Sequence, residues 1–156
     1  MAGQRSVTTL RPLRRSDLDV LTAWLPGVAA DAGCESWATD DTLRDAVGRR
    51  DVLVAHDTGP AGLLVFETAT PESDAAVVRF LAVDPARRRL GIGGRAALAL
   101  ERRLGRTTRR LYVAIPSRSG LALYFWLRLG YRPLTQAEWP ARPDDSPATW
   151  MLRELS

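Results

Sequence analysis

The chain has 156 residues, 46% of them apolar, which is enough for one globular domain with a substantial core. All 22 basic residues are arginine, so Schiff-base chemistry and the lysine of a P-loop are excluded. Cys34 and His56 are the only residues of their types, which excludes an intrachain disulfide and a Cys/His metal cluster. We therefore expect no metal. We also expect a cytoplasmic protein without a membrane partner, since the chain has no apolar signal region and no apolar run near the ~20 residues of a membrane span.

The residue pattern predicts about seven strands and about four helices, an α/β (α+β) chain. Apolar runs bounded by turn residues predict strands near residues 7–13, 51–56, 62–67, 77–83, 111–115, 131–134 and 149–155. Helical periodicity with polar caps predicts four helices, which begin at Ser16 (17–24), at Asp40 or Asp41 (43–50), after Gly93 (to Leu104) and at Ser117 or Ser119 (to Leu129). Residues 26–39 show no clear periodicity.

The segment from Phe80 to Arg95 joins an apolar strand to a helix through three arginines and a glycine turn. Free N–H groups and the positive dipole end of a helix N-terminus bind a pyrophosphate where no side chain obstructs it. Gly91, Gly93 and Gly94 remove those side chains. Residues 84–110 hold nine arginines against two acidic residues. This segment therefore predicts a site for a phosphate-rich ligand.

Other interpretations of the same segment fit less well. The spacing Gly91-x-Gly93-x-x-Ala96 satisfies a loose dinucleotide fingerprint, but the acidic residue expected about 20 positions later is absent. A nucleic-acid interface would spread its basic residues over a broad face, whereas these cluster around one turn. Nucleic acid is thus not expected as a partner, and the arginines at 102, 103, 106, 109 and 110 are expected to form a solvated face.

The spacing Arg88-x-x-Gly91-x-Gly93 resembles the acetyl-CoA-binding motif of the GNAT superfamily of N-acetyltransferases. The segment from Leu123 to Tyr131 is similar to the family's Leu-Tyr-x-x-x-x-x-Gly-Phe, with tyrosine in the last place. The resemblance covers about residues 75–134. It implies a single N-acetyltransferase domain over residues 1–156, with a GNAT-like mixed, mostly antiparallel sheet and acetyl-CoA as co-substrate.

The resemblance also implies which residues contact the co-substrate. Backbone amides of the strand before the turn would hold the acetyl carbonyl and the pantetheine arm, and the turn would hold the pyrophosphate. Ser117 stands where the family has an asparagine for the pantetheine arm. The implied residues are Leu81, Ala82, Val83, Arg88, Arg89, Leu90, Gly91, Ile92, Gly93, Gly94, Arg95 and Ser117.

The resemblance and the residue types together indicate a few candidate catalytic residues. Tyr124 matches the tyrosine that often serves the family as general acid, and the alternative is an aromatic packing residue. The family's glutamate base corresponds to Val77, so that base is absent. Glu67 is the leading substitute, with a solvent-facing strand end as the alternative. His56 is a second candidate, and direct attack by an amine already deprotonated in solution is a third.

The acceptor is expected to be a primary amine of an unidentified small molecule or protein N-terminus. Arg79 is interpreted either as the partner of an acceptor carboxylate or as part of a plain ion pair. Trp126 is interpreted as a core residue or as a contact in a homodimer. The acids and aromatics suited to a cationic amine are Trp24, Asp31, Glu35, Trp37, Asp40 and Asp41, the last two being equally good helix caps. The rival functions are a noncatalytic acyl-CoA-binding or sensing module and a nucleic-acid-binding domain.

Overall fold

The computed structural model describes residues 7–88, 90–116, 120–140 and 148–155. Seven strands are present in these ranges: β1 Thr9–Pro12, β2 Val52–His56, β3 Pro60–Thr68, β4 Ala75–Val83, β5 Arg110–Pro116, β6 Arg132–Pro133 and β7 Ala148–Glu154. The α-helices are α1 Leu18–Thr22, α2 Leu25–Asp31, α3 Asp40–Ala46, α4 Ile92–Leu104 and α5 Gly120–Arg128. Short 3-10 turns cover Arg15–Asp17, Glu35–Ala38, Pro85–Arg87 and Gln136–Glu138.

The strands form a mixed sheet in the order β1-β2-β3-β4-β5-β7-β6. β4 and β5 run parallel, with Ala75 opposite Arg110 and Val78 opposite Val113. A parallel pair needs a long crossover, and α4 supplies it. The β1–β2, β5–β7 and β6–β7 pairs are antiparallel. The predicted GNAT-like mixed sheet of seven strands is confirmed.

The helices differ from the predicted ones in number and bounds. α2 begins at Leu25 and runs into the segment that showed no periodicity. Only Leu25 and Ala29 are buried in this short helix, which is otherwise rich in small residues, so the sequence shows no helical pattern. α3 begins at Asp40, at the predicted start, but it ends at Ala46 and not at residue 50. The Thr39 hydroxyl accepts the Thr42 N–H at its start, and Val47 is extended at its end.

The predicted helix over 17–24 is also shorter. Its first residue, Asp17, ends the 3-10 turn Arg15–Asp17, and α1 covers Leu18–Thr22. The Asp17 carboxylate accepts the N–H of Arg14 and the guanidinium of Arg11, at 2.9 and 2.7 Å. Burial alone would raise the pKa of Asp17, but these hydrogen bonds outweigh it and hold the pKa below its usual value.

The chain divides into two compact units, Met1–Leu64 with Leu81–Leu100 and Val65–Phe80 with Glu101–Ser156. In the first unit, Leu10, Leu81 and Val83 pack against a buried cluster of Ala55, Ala61, Ile92 and Ala96. In the second, the buried cluster is Ala75, Val77, Tyr112, Leu134, Trp150 and Leu152. Burying a side chain such as Ile92 stabilises a fold by about 2 kcal/mol, which fixes the start of α4 in the first unit. The single domain expected over residues 1–156 stays a prediction.

Candidate active site

The turn between β4 and α4 is built around Gly91, whose φ of +76° lies in the left-handed region. This conformation favours glycine, and a Cβ at this position would lie 2.9 Å from Nη1 of Arg95, so a larger residue would have to displace the guanidinium. The Arg95 N–H donates to the Gly91 carbonyl at 3.1 Å, at the start of α4. The N–H groups of Ile92, Gly93 and Gly94 belong to the first helical turn, which offers them no intrahelical carbonyl. These backbone donors, together with the helix dipole, suit an anion.

The three consecutive arginines before the turn have different surroundings. Nη1 of Arg87 donates to the backbone carbonyl of Asp57 at 3.3 Å. Arg88 is exposed, and its side chain makes no hydrogen bond or ion pair within the described part of the chain. Arg89 lies outside the described residues. Among the described residues of this run, Arg88 is therefore the guanidinium available to an anion.

Arg95 follows the turn, and its guanidinium bends back toward it. Nη1 donates to the Leu90 carbonyl at 2.8 Å, and Nε donates to the Thr8 hydroxyl at 2.9 Å. Nη2 lies 3.7 Å from Oδ2 of Asp57, a buried carboxylate. The guanidinium is thus engaged with protein atoms on several sides. Its role in binding a cofactor stays a prediction.

The end of β4 supplies the three residues whose backbone is implied to hold the acetyl group and pantetheine. Leu81 and Val83 are half-buried and pack on the apolar cluster of the first unit, while Ala82 is buried. A Cβ on Gly62 of β3 would lie 2.7 Å from the Ala82 carbonyl oxygen, so this close approach requires glycine. The backbone role of these residues stays a prediction, and Ser117 lies outside the described residues.

The two tyrosines of the second motif have opposite surroundings. Tyr124 on α5 is 59% exposed, with the Arg128 guanidinium 5.7 Å from its ring centroid. Tyr131 is 2% exposed and donates to Oε1 of Glu101 at 2.8 Å. Burial, together with this hydrogen bond, raises the pKa of Tyr131 well above its usual value. Of the two, Tyr124 is the phenol that a substrate can reach.

The surface of α5 differs from what its composition predicts. Helices that are apolar nearly all round are usually buried, yet Leu121, Tyr124 and Leu127 are exposed. Trp126 is 5% exposed and packs edge-on against Tyr131, with 4.9 Å between the ring centroids. Trp126 is therefore a core residue of this chain, and the homodimer stays a prediction.

Glu67 and Arg79 form an ion pair on neighbouring strands, with Nη2 of Arg79 3.3 Å from Oε2 of Glu67. Both side chains are exposed, and the Arg79 guanidinium also lies 5.6 Å from the Trp150 ring centroid. Arg79 is thus in the plain ion pair that the sequence left open. Val77 is buried in the apolar cluster of the second unit, where a carboxylate would lose its hydration without a partner.

The other candidates for acceptor binding and proton transfer lie in the first unit. His56 is half-buried at the end of β2, and the indole N–H of Trp24 is buried without a hydrogen-bond partner in the described residues. Trp37 is half-buried, and the exposed acids are Asp31, Glu35, Asp40 and Asp41. Within the described ranges, no three His, Cys, Asp or Glu side chains come together as a metal site would need. The same ranges contain no helix long and apolar enough to cross a membrane.

Sequence reasoning missed the residues that fix the two motifs from a distance. Thr8 contacts Arg95 across 87 positions, so no local spacing could indicate the pair. Tyr131 did carry a signal. A tyrosine where the family has phenylalanine places a hydroxyl in the core, and that hydroxyl requires an acceptor, which Glu101 provides.

The chain is thus a mixed α/β sheet in which a glycine turn leads from β4 into the N-terminus of α4, an arrangement that suits a phosphate-bearing ligand. A profile of the Acetyltransferase (GNAT) family matches residues 20–131, and the chain belongs to this family. No curated protein sequence matches the chain at a significant level.

Solved structures agree with this family. An acetyltransferase from Thermus thermophilus is 25% identical, with a TM-score of 0.73 over 96% of this chain and 97% of that one. The PaiA N-acetyltransferase from Thermoplasma acidophilum, in complex with coenzyme A, is 16% identical, with a TM-score of 0.71 over 94% and 98% of the two chains. N-acetylglutamate synthase from Neisseria gonorrhoeae, complexed with coenzyme A and N-acetyl-glutamate, is 19% identical. Its TM-score is 0.73 over 97% of this chain and 36% of that one.

Proposed function

We propose that this chain is an acetyl-CoA-dependent N-acetyltransferase that transfers the acetyl group directly to a primary amine of a small molecule or a protein N-terminus. The observation that carries the proposal is the turn before α4. It combines a left-handed Gly91, first-turn N–H groups and an exposed Arg88 without a partner in the described residues. Coenzyme A bound to two relatives with this fold supports the choice of ligand.

The phosphates, the pantetheine arm and the thioester of acetyl-CoA each have proposed partners in this chain. The pyrophosphate accepts hydrogen bonds from the backbone between Leu90 and Gly94, where the helix dipole is favourable. Arg88 and Arg89 balance the phosphate charge. Backbone groups of residues 81–83 and the side chain of Ser117 hold the thioester carbonyl and the pantetheine arm. Ile92 contributes its N–H alone, because its side chain is buried in the core.

The proposed reaction needs one proton donor and one proton acceptor. The amine attacks the thioester carbonyl, the tetrahedral intermediate collapses, and the C–S bond breaks to release the coenzyme A thiolate. Tyr124, whose ring is exposed on α5, donates its proton to that thiolate. Glu67 takes the proton from the amine, directly or through water, and is held in place by Arg79. His56 is the second candidate for that proton.

The proposed acceptor is a cationic amine. Because Thr39 provides the N-cap of α3, Asp40 and Asp41 are not used as caps, and both carboxylates are exposed. Asp31 and Glu35 are exposed acids of the same unit. Such residues attract an ammonium group by opposite charge. The ammonium releases one proton to water before the neutral amine attacks, and the second proton passes from the attacking nitrogen to Glu67.

A turnover assay tests the proposal. Release of coenzyme A from acetyl-CoA is followed with a panel of primary amines and N-terminal peptides. Tyr124→Phe is expected to lower kcat by about 100-fold, the usual contribution of a general acid. Tyr131→Phe is the matched control, because it removes the same hydroxyl from a buried site, and it is expected to lower Tm much more than kcat.

The buried Val77 favours a second candidate function, because Val77 takes the place of the family's glutamate base in an apolar cluster. It is a noncatalytic module that binds acyl-CoA. Binding of acetyl-CoA without turnover of any amine, and without any effect of Tyr124→Phe, would support this candidate over the enzyme.

A further inference from the structure

The contacts of Arg95 show how the glycine turn is held in its conformation. The guanidinium donates through Nη1 to the carbonyl of Leu90, directly before the left-handed Gly91. Through Nε it donates to the hydroxyl of Thr8, a buried residue just before β1. One side chain thus ties the residue at the centre of the turn to the strand that follows Thr8.

Asp57 completes this arrangement. Its carboxylate lies 3.7 Å from Nη2 of Arg95, and its backbone carbonyl accepts Nη1 of Arg87 at 3.3 Å. Its own N–H donates to the Gly59 carbonyl at 2.9 Å, which closes the connection between β2 and β3. A single residue of that connection therefore contacts the arginine before the glycine turn and the arginine after it.

The direction of the guanidinium argues against a direct role in binding phosphate. An arginine reads a phosphate best with a fork of parallel N–H groups. Here Nη1 and Nε both donate to protein oxygens at normal hydrogen-bond distances. Arg88 is exposed and makes no such contact in the described part of the chain. The two arginines are therefore suited to different tasks.

We propose that Arg95 is a positioning residue that fixes the phosphate-binding turn by binding the Leu90 carbonyl, and that Thr8 and Asp57 hold Arg95 in place. This inference rests on the proposed function, because the turn matters to the reaction only if it binds acetyl-CoA. Arg88 is left to contact the phosphates. In this proposal Arg95 affects cofactor binding indirectly, through the conformation of the turn, and not by direct contact.

A double-mutant cycle on acetyl-CoA affinity tests the inference. Thr8→Val keeps the shape of residue 8 and removes its hydroxyl. It is expected to weaken binding about three- to ten-fold, the effect of one lost hydrogen bond. Arg95→Gln is expected to weaken binding to a similar or larger extent, and adding Thr8→Val to it should change nothing further. Thr8→Ser keeps the acceptor oxygen and is expected to restore wild-type affinity.

Arg95→Lys separates the two roles of Arg95. Lysine keeps the positive charge but cannot reproduce the fork to Leu90 and Thr8. A positioning residue predicts that Arg95→Lys binds acetyl-CoA as weakly as Arg95→Gln, with a raised KM for acetyl-CoA and an unchanged KM for the amine. Near-normal affinity of Arg95→Lys, or full additivity of Thr8→Val and Arg95→Gln, would overturn the inference in favour of a direct phosphate ligand.

Hydrogen exchange without any cofactor separates failure of this inference from failure of the proposed function. Backbone amides of Ile92, Gly93 and Gly94 are expected to exchange faster in Arg95→Gln and Thr8→Val than in the wild type and Thr8→Ser. If the wild type binds acetyl-CoA but the two variants exchange no faster than the wild type, the positioning role alone is overturned. If the two variants exchange faster but the wild type binds no acetyl-CoA, the proposed function is overturned and the structural link between Arg95 and the turn stays in place.

Discussion

Each of the two sequence motifs contains a left-handed glycine next to an arginine–carbonyl hydrogen bond, and the two glycines lie in different surroundings. Gly91 has a φ of +76° and Gly130 a φ of +94°. In both cases an arginine donates to the carbonyl of the preceding residue, Arg95 at the first glycine and Arg153 at the second. Each arginine also approaches a carboxylate, at 3.7 and 3.4 Å respectively.

The surroundings of the two glycines differ. A Cβ on Gly91 would lie 2.9 Å from the arginine, whereas a Cβ on Gly130 would lie 3.6 Å away. The first arrangement leads into backbone donors at the start of α4. The second leads into a network where Glu101 accepts from the buried Tyr131. The comparison supports different roles for the two arginine–carbonyl contacts: the first shapes the turn that is proposed to bind acetyl-CoA, and the second lies in a buried network around Tyr131.

The largest expected difference between the regions concerns a carboxylate at the start of each helix. Gly93→Asp places a negative charge where the pyrophosphate is proposed to bind and is expected to weaken acetyl-CoA binding by at least ~100-fold, or about 2.7 kcal/mol. Gly120→Asp makes the same change at the start of α5, where a Cβ meets no atom within 4 Å. Gly120→Asp should bind acetyl-CoA with the affinity of the wild type. Calorimetric titration measures both, and normal binding by Gly93→Asp would remove the turn from the site.

Removing a single cation has the next largest effect. Arg88→Ala is expected to weaken acetyl-CoA binding by roughly 1–3 kcal/mol through loss of a charge-assisted contact. Arg102→Ala, which removes an exposed arginine from the C-terminal half of α4, serves as the control and should have little effect. Equal affinities for the two variants would make Arg88 an ordinary surface residue.

Alanine at the two glycines compares the regions directly. Each left-handed alanine costs about 1–2 kcal/mol of stability. Gly91→Ala must in addition displace Arg95, so it is expected to lose affinity for acetyl-CoA as well as stability. Gly130→Ala is expected to lose stability alone. Denaturant unfolding and ligand titration of both variants measure these effects, and an equal loss of affinity in the two would contradict the division of roles.

The smallest expected effect is the loss of stability in Tyr131→Phe, and this loss should depend on pH. Tyr131→Phe is expected to cost about 1 kcal/mol of unfolding free energy through the lost hydrogen bond to Glu101. The pKa of Tyr131 is raised by folding, so its contribution is complete below the unfolded value near ~10 and is lost as pH rises further. The stability difference between wild type and variant should therefore shrink above about pH 10. A constant difference would contradict the buried hydrogen bond.

Local patterns predicted the strands and the glycine turn because each depends on neighbouring residues. Strand periodicity and the spacing of Gly91 and Gly93 are set within a few positions, and the seven strands were all found. The short helix α2 was missed because its burial depends on only two residues, Leu25 and Ala29. Its small and proline residues give no helical period.

Contacts between distant residues could not be predicted from such patterns. Thr8, Asp57 and Arg153 act on motifs far away in the sequence, and each has an unremarkable local context. The apolar composition of α5 also predicted a buried helix, and this prediction was wrong for Leu121 and Leu127, which are exposed. Hydrophobic composition gives the tendency of a helix to be buried, and the three-dimensional fold decides which faces are covered.

Thermal unfolding with acetyl-CoA and with S-acetylpantetheine at equal concentration tests the central claim, that the turn before α4 binds the pyrophosphate of acetyl-CoA. S-acetylpantetheine carries the same thioester without the nucleotide and its pyrophosphate. At about 100 times its Kd, acetyl-CoA should add roughly 2.7 kcal/mol and raise Tm by several degrees, whereas S-acetylpantetheine should leave Tm nearly unchanged. An unchanged Tm at millimolar acetyl-CoA, or an equal rise with both compounds, would contradict the claim.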